Sequence, residues 1–216
     1  MASAAIEVTR SLTPLSSGLQ RLQATVVKGF QRGSKSLGFP TANMRIRWDA
    51  ATEDRESLPP AEKKMLEFMD THEPGIYYGW CQVRGFASNR SSSSAATGSI
   101  PETEVPATGD ASAADGEAKV PVTRDVLKAA VSIGWNPTYK DVKQKVIEPW
   151  ILHDFGEVEF YGAELRLVLC GYVRGEIDFQ GNFPLLIKAI KEDGEFCETA
   201  LENHFDVKND AFFVEP

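Results

Sequence analysis

The sequence predicts a mainly β protein, a small antiparallel barrel capped by a helix near its C-terminus. Short β-branched and aromatic runs recur between glycine and proline turns, enough for five or six strands. One amphipathic stretch follows them, from about Pro184 to Asn203. No strand–helix alternation announces a parallel sheet and nothing repeats, so a single domain is expected. Periodicity alone does not separate a barrel from a sandwich.

Composition sets the outer bounds. At 216 residues, 25% charged and 42% hydrophobic, the chain suits one soluble domain with room for extra segments. A net charge of −8 and a pI near 5.0 argue against a nucleic-acid partner, because phosphate backbones select basic surfaces. Cys81, Cys170 and Cys197 lack metal-ligand spacing, and two of them sit in apolar runs. They read as buried, reduced thiols in a cytoplasmic protein. No apolar run reaches membrane-spanning length.

Residues 1–20 read as an N-terminal extension. Ile6, Val8 and Leu12 support at most a short helix, and a floppy tail is the default. Glu7 is its one acidic residue among Ser, Thr and Arg, which leaves an organellar targeting role open. Leu22–Val27 is β-branched and forms the first strand. It runs into Lys28-Gly29-Phe30-Gln31-Arg32-Gly33-Ser34-Lys35-Ser36-Leu37-Gly38-Phe39-Pro40, a basic glycine-rich loop, and the alternating stretch Thr41–Arg47 leaves it as a second strand. Trp48–Glu73 is polar, with Pro59-Pro60 opening a short helix whose buried stripe is Ala61, Met65, Leu66 and Met69. This part reads as peripheral.

Gly75–Val83 is aromatic and β-branched, a strong strand. From Ala87 to Pro121 the chain is Ser, Ala, Thr, Gly, Asp and Glu without an aromatic residue, and it reads as a disordered insertion. Strand character returns through Val126, Leu127, Ala129, Val131 and Ile133. Residues 76–84 and 125–135 are thus expected to pair as a hairpin with a long inserted tip. Val146–Phe155 is apolar apart from Glu148, His153 and Asp154, and Leu165–Arg174 alternates as the last strand.

Chemistry-bearing residues fall in a few places. Backbone N–H groups freed by glycines, with a lysine close by, make a cradle for phosphate oxygens, although the Walker A ending is absent. A plain basic surface loop is the competing reading. Alternate residues of a strand share a side, so Thr41 and Asn43 can aim two neutral oxygens at one point next to that loop. Such oxygens suit Mg²⁺ when water and phosphate complete the shell. Satisfied turn residues are the alternative. Glu148 stands among apolar neighbours, as a carboxylate does when it is a general base or the partner of Lys143, Lys145 or Arg174. His153, next to Asp154, is by default a core or surface histidine. Trp135, Tyr139, Trp150, Tyr161 and Phe179 offer flat faces for a planar ring, although barrel aromatics are mostly core.

The loop with its Pro40-Thr41-Ala42-Asn43 tail resembles that of riboflavin kinases. Five further blocks follow in family order: Gly75–Trp80, Val131–Pro137, Glu148–His153, Phe160–Gly162 and Gly171–Arg174. Asn209–Phe213 resembles the family's closing Phe-Phe. The likeness covers roughly residues 22–86 and 122–214, so the domain is set at 21–214 with an insertion at 87–121. It implies a six-stranded antiparallel Greek-key barrel with a C-terminal helix. It also implies transfer of the γ-phosphate of Mg-ATP to the 5′-hydroxyl of riboflavin, giving FMN and ADP. Zn²⁺ or Mn²⁺ are alternatives to Mg²⁺. On matching positions Gly29 and Lys35 would hold ATP phosphates, and Thr41 and Asn43 the metal, with Thr41 also near the nucleotide. Glu148 would be the catalytic carboxylate. Ile151, His153 and Tyr161 would line the nucleotide site, and Arg174, Ile177 and Phe179 the flavin site.

The chain departs from the family at Gly175-Glu176-Ile177-Asp178-Phe179, where relatives often carry Pro-Glu-Lys-Asn-Phe, and in its long insertion. No room is left for the FAD synthetase or phosphatase fused to this module elsewhere, so a stand-alone cytoplasmic monomer that makes FMN is expected. A non-catalytic flavin or nucleotide binder and an FMN-dependent oxidoreductase barrel are the rivals.

Overall fold

Leu22, Ala24 and Val26 alternate with polar residues and turn to the inside of a barrel, which sets the pattern for every strand around it. The structure, a computed structural model, describes residues 6–27, 41–46, 55–89, 119–121, 125–135, 145–156 and 158–215. Its elements are β1 (Thr13–Pro14), β2 (Gln20–Val27), β3 (Asn43–Met44), α1 (Pro60–Thr71), β4 (Gly75–Arg84), β5 (Phe86–Asn89), β6 (Lys119–Pro121), β7 (Leu127–Trp135), β8 (Lys145–Ile151), β9 (Val158–Glu159), β10 (Glu164–Gly175) and α2 (Phe183–Glu202).

The main sheet runs β3-β2-β10-β4-β7-β8 with antiparallel pairing throughout. Its two end strands then meet, Ala42 N–H donating to the Pro149 carbonyl at 2.8 Å, so the six strands form a nearly closed barrel. Within it β4, β7 and β8 follow one another and β10 returns to lie beside β4, a Greek-key order. The expected pairing of residues 76–84 with 125–135 is the β4–β7 ladder.

Strand alternation builds two apolar layers. Tyr77, Cys81, Val83, Val131, Ile133, Ile147, Ile151, Leu165, Leu167 and Leu169 fill the interior. Tyr78, Trp80, Ala130, Trp150, Val168 and Cys170 face outward and are covered by α2 through Cys197, Ala200 and Leu201. Each such fully buried large side chain contributes about 1.5–3 kcal/mol. Asn182 caps α2 by accepting from Leu185 N–H at 3.1 Å, and Pro184 occupies its first turn, where a missing N–H costs nothing. Lys128 of β7 ties down the far end, donating to the Glu198 carbonyl at 3.1 Å and pairing with Glu202.

All three cysteines are buried free thiols. Burial pushes the Cys170 and Cys197 thiols up to about 12, so neither is a thiolate at neutral pH. No helix among the described residues is long and apolar enough to cross a membrane.

Three expectations change. The 56–73 region is not peripheral: Met65, Leu66, Phe68 and Met69 of α1 belong to the interior cluster and plug one end of the barrel. Residues 6–19 form neither helix nor loose tail, for β1 pairs with Gly171 and Tyr172 of β10, and Ser11 N–H reaches the Val173 carbonyl at 3.1 Å. Beyond Leu169, which pairs with the first residue of β2, the edge of β10 is covered by this segment. The stretch 87–121 also starts and ends in paired backbone: β5 is flanked by β6 and β9 in a small second sheet. Residues 90–118 lie outside the described residues.

Candidate active site

The seam between β3 and β8 brings together three of the residues singled out in the sequence, Thr41, Asn43 and Glu148. Ala42 and Met44 are buried inside the barrel, so Thr41 and Asn43 stand on its outer face, as their spacing predicts. On β8, Ile147 and Ile151 point in, which leaves Glu148 and Trp150 pointing out. Thr41 bridges to Trp150, and the same register sets Asn43 opposite Glu148. Asn43 Nδ2 donates to Glu148 Oε1 at 3.3 Å. Pro149 between them has no N–H, and that gap falls on the seam side, where β3 is only two residues long.

Glu148 is half-buried and, among the described residues, meets an amide rather than a cation. Two cations weighed as its partner are engaged elsewhere. Lys145 donates to the Met69 and His72 carbonyls at 2.6 and 3.0 Å, capping α1, and its ammonium lies over the Trp135 ring. Arg174 pairs with Asp193. The third, Lys143, lies outside the described residues.

On the neighbouring strand Ser132 is the ladder partner of Glu148, and Gly134 follows it on the same face. A Cβ at Gly134 would collide with the Glu176 carboxylate, so glycine here lets the 176–182 loop fold down beside the Glu148 strand. Glu176 is a carboxylate of this face that the sequence reading passed over. Its signal was the acidic residue directly after Arg174-Gly175.

A cleft of about 510 Å³ opens on the outer face between β8 and α2. Trp150, Leu152, His153 and Asp154 line one wall, and Lys191, Gly194, Glu195 and Glu198 the other. Gly194 makes room for it, since a Cβ there would stand 2.5 Å from two carbons of the Trp150 ring.

The remaining sequence-predicted residues divide. His153 is exposed and in the cleft, its ring 4.7 Å from that of Phe155, which in turn meets Phe160 at 4.9 Å next to Tyr161. Ile151 is 0% exposed and faces the barrel interior, so its side chain lines no surface site. Its backbone alone is available, and its carbonyl accepts from His153 N–H at 2.8 Å. Arg174 is 7% exposed: Nε and Nη2 grip Asp193 at 2.9 and 2.5 Å, and Nη1 donates to the Gly175 carbonyl at 2.8 Å. Phe179 is buried and Ile177 half-buried in the loop that follows. Gly29, Lys35 and Tyr139 lie outside the described residues.

Among the described residues no three His, Cys, Asp or Glu side chains cluster as a metal site. The seam sets Thr41, Asn43 and Glu148 on one outer face, a hydroxyl, an amide and a carboxylate. This hard, mostly neutral set fits a divalent ion that keeps water and phosphate ligands, and does not fit a closed Zn²⁺ cage.

The family model described as Flavokinase: Riboflavin kinase matches residues 19–201. The chain is 35% identical over 190 residues to a riboflavin kinase of Homo sapiens, covering 87% of this chain and 86% of that protein. It is 34% identical over 180 residues to one from Kluyveromyces lactis, covering 82% and 80%. A bifunctional riboflavin kinase/FMN phosphatase of Arabidopsis thaliana is 38% identical over 177 residues, and there the chain spans only 32% of the relative's length. The crystal structure of riboflavin kinase from Trypanosoma brucei superposes with a TM-score of 0.54 over 92% of this chain and 90% of that one, at 23% identity, a likeness of fold. With the matched segment carrying both sides of the β3–β8 seam, the chain belongs to the riboflavin kinase family.

Proposed function

We propose that the outer face of this seam is where a phosphoryl group passes from ATP to the 5′-hydroxyl of riboflavin, with FMN and ADP as products. The observation that carries it is Glu148 held opposite Asn43, a carboxylate next to a neutral amide, with Asn43 following the basic glycine-rich stretch in sequence. The family uses ATP and a divalent metal; Mg²⁺ is the ion that the Thr41 and Asn43 oxygens suit best. Bound there, the ion would neutralise charge on the phosphates.

The protein's own groups do the rest. Glu148 accepts the proton of the attacking hydroxyl and orients it. Asn43 keeps that carboxylate in place through its N–H while its Oδ1 remains for the cation. Gly29 and Lys35 hold the ATP phosphates, and Thr41 lies near the nucleotide. His153, Tyr161 and the backbone at Ile151 border the nucleotide. Arg174, Ile177 and Phe179 belong to the flavin side, with Arg174 and Phe179 shaping the loop rather than touching the ring. Phosphoryl transfer has a loose transition state, so positioning and charge neutralisation outweigh the base. The protein works as a cytoplasmic monomer in this reading, as one domain over residues 21–214.

Purified protein incubated with riboflavin, ATP and Mg²⁺ should accumulate FMN, read by chromatography with fluorescence detection. Failure to form FMN with Mg²⁺, Zn²⁺ or Mn²⁺ overturns the reading. Glu148→Gln should lower kcat by about 10²–10⁴-fold, the range for a positioned base, with riboflavin binding retained. Wild-type kcat in that variant removes Glu148 from its role.

A further inference from the structure

Arg10 lies ahead of the segment that matches the family model, which starts at residue 19, yet its side chain enters the core of the α2 anchorage. Its Nε donates to Asp193 Oδ1 at 2.8 Å, and the same oxygen accepts from Arg174 Nε at 2.9 Å. Nη2 of Arg10 donates to the Ala189 carbonyl at 3.0 Å and pairs with Glu192 at 3.2 Å. Asp193 is 3% exposed, so it is a buried carboxylate shared by two guanidinium groups. One of them belongs to an N-terminal segment, the other to the end of strand β10.

The segment is fixed by backbone as well. Ser11 N–H meets the Val173 carbonyl, Thr13 pairs with Tyr172 and Pro14 with Gly171. Residues 10–14 therefore run along β10 up to the point where it ends. The loop 176–182 begins immediately after, and Arg174 holds its first carbonyl, that of Gly175. Glu176 then packs against Gly134, two residues along β7 from the ladder partner of Glu148.

We propose that Arg10–Pro14 is a strap and Arg10 a positioning residue. By fixing Asp193, and Arg174 through it, Arg10 holds the 176–182 loop in the geometry that shapes the flavin side of the site. The functional half of this rests on the riboflavin kinase reading above; the ordering of the loop does not. Arg10 touches no substrate here and acts through Asp193. Removing it leaves Asp193 with both bonds from Arg174, so the charge stays compensated and the fold survives. What goes is the restraint on orientation.

The test compares Arg10→Ala, Arg10→Lys and, as a control, Arg21→Ala, whose bidentate bond to Asp210 pins the C-terminal turns instead. Hydrogen exchange of the ligand-free protein is read over residues 175–182, and steady-state kinetics over riboflavin and ATP separately. Arg10→Ala should speed exchange in that loop at least fivefold and raise KM for riboflavin about five- to tenfold, with kcat and KM for ATP within twofold of wild type. Arg10→Lys, which keeps one charge but not the fork, should recover part of both effects. Arg21→Ala should lower thermal stability without either change. Unchanged loop exchange in Arg10→Ala overturns the strap, and faster exchange with an unchanged KM for riboflavin overturns its role at the site. Wild-type protein that makes no FMN overturns the riboflavin kinase reading instead, and the exchange data still decide whether the strap orders the loop.

Discussion

Asn43 and Glu148, 105 residues apart in sequence, touch across the barrel's closing seam at 3.3 Å. The amide N–H₂ thereby serves the candidate base, which leaves its oxygen for the proposed cation. Asn43→Ala should lower kcat and raise the Mg²⁺ concentration needed for half-maximal rate. Because the two residues share a contact, losses in Asn43→Ala and Glu148→Gln should not add. A double-mutant cycle on kcat should show coupling above about 0.5 kcal/mol. Additive losses mean the two act separately.

Arg174 and Asp193 form a buried pair, and breaking such a pair from one side costs more than the pair is worth. Arg174→Ala should destabilise the protein by about 3 kcal/mol, the low end for a buried ion pair because Arg10 still donates to Asp193. Urea denaturation measures it. A loss under about 1 kcal/mol shows that water replaces the guanidinium.

These pairs mark where sequence stops being legible. Glu148 stood out because a carboxylate among Val146, Ile147, Trp150 and Ile151 needs a reason. Thr41 and Asn43 were legible as a same-side pair because period-2 alternation is local. Their partner was not: β3 spans two residues, too short for a pattern to set its register, and closure is a long-range event. Arg10 and Asp193 are 183 residues apart, and nothing in a run of Ser, Thr and Arg distinguishes a docked segment from a loose one. Three of the four stripe residues on α1, Met65, Leu66 and Met69, are buried, while Ala61 is half-buried and Phe68 joins them, and a stripe does not say what it packs on. Ile151 was placed at the site by likeness alone, although alternation from Ile147 already put its side chain inside.

Gly194 pits helix propensity against the cleft. On a free helix Gly→Ala stabilises by about 1 kcal/mol. Here the new methyl meets the Trp150 ring at 2.5 Å, and the ring is held against β7 and β8. Overpacking of this kind costs about 1–3 kcal/mol, so Gly194→Ala should be net destabilising. It should also shift Trp fluorescence and raise a substrate KM, because Trp150 lines the cleft. A stabilised variant with an unchanged spectrum shows that the helix moves away instead.

Arg21 and Asp210 hold the C-terminal turns onto β2, with Arg21 Nε to Oδ1 at 3.0 Å and Nη2 to Oδ2 at 2.6 Å. Asp210 also accepts from Phe212 N–H at 3.0 Å, which seats the Phe212-Phe213 turn. The hydrogen bond from Arg21 holds the Asp210 carboxyl below its ordinary value, and the Phe212 N–H adds to this. A depressed carboxylate pKa stabilises the fold above the unfolded value and stops doing so as pH falls through the folded one. The pair is partly exposed, the Arg21 side chain at 40%, so its worth is about 0.2–1 kcal/mol after screening. Asp210→Asn should therefore be less stable than wild type by that amount throughout neutral pH. The gap should close only on acidification below the ordinary carboxylate value of 3.8. Denaturation midpoints taken from pH 7 downward measure it; a gap that stays constant into that acid range assigns the loss to the Phe212 turn, not to the charge.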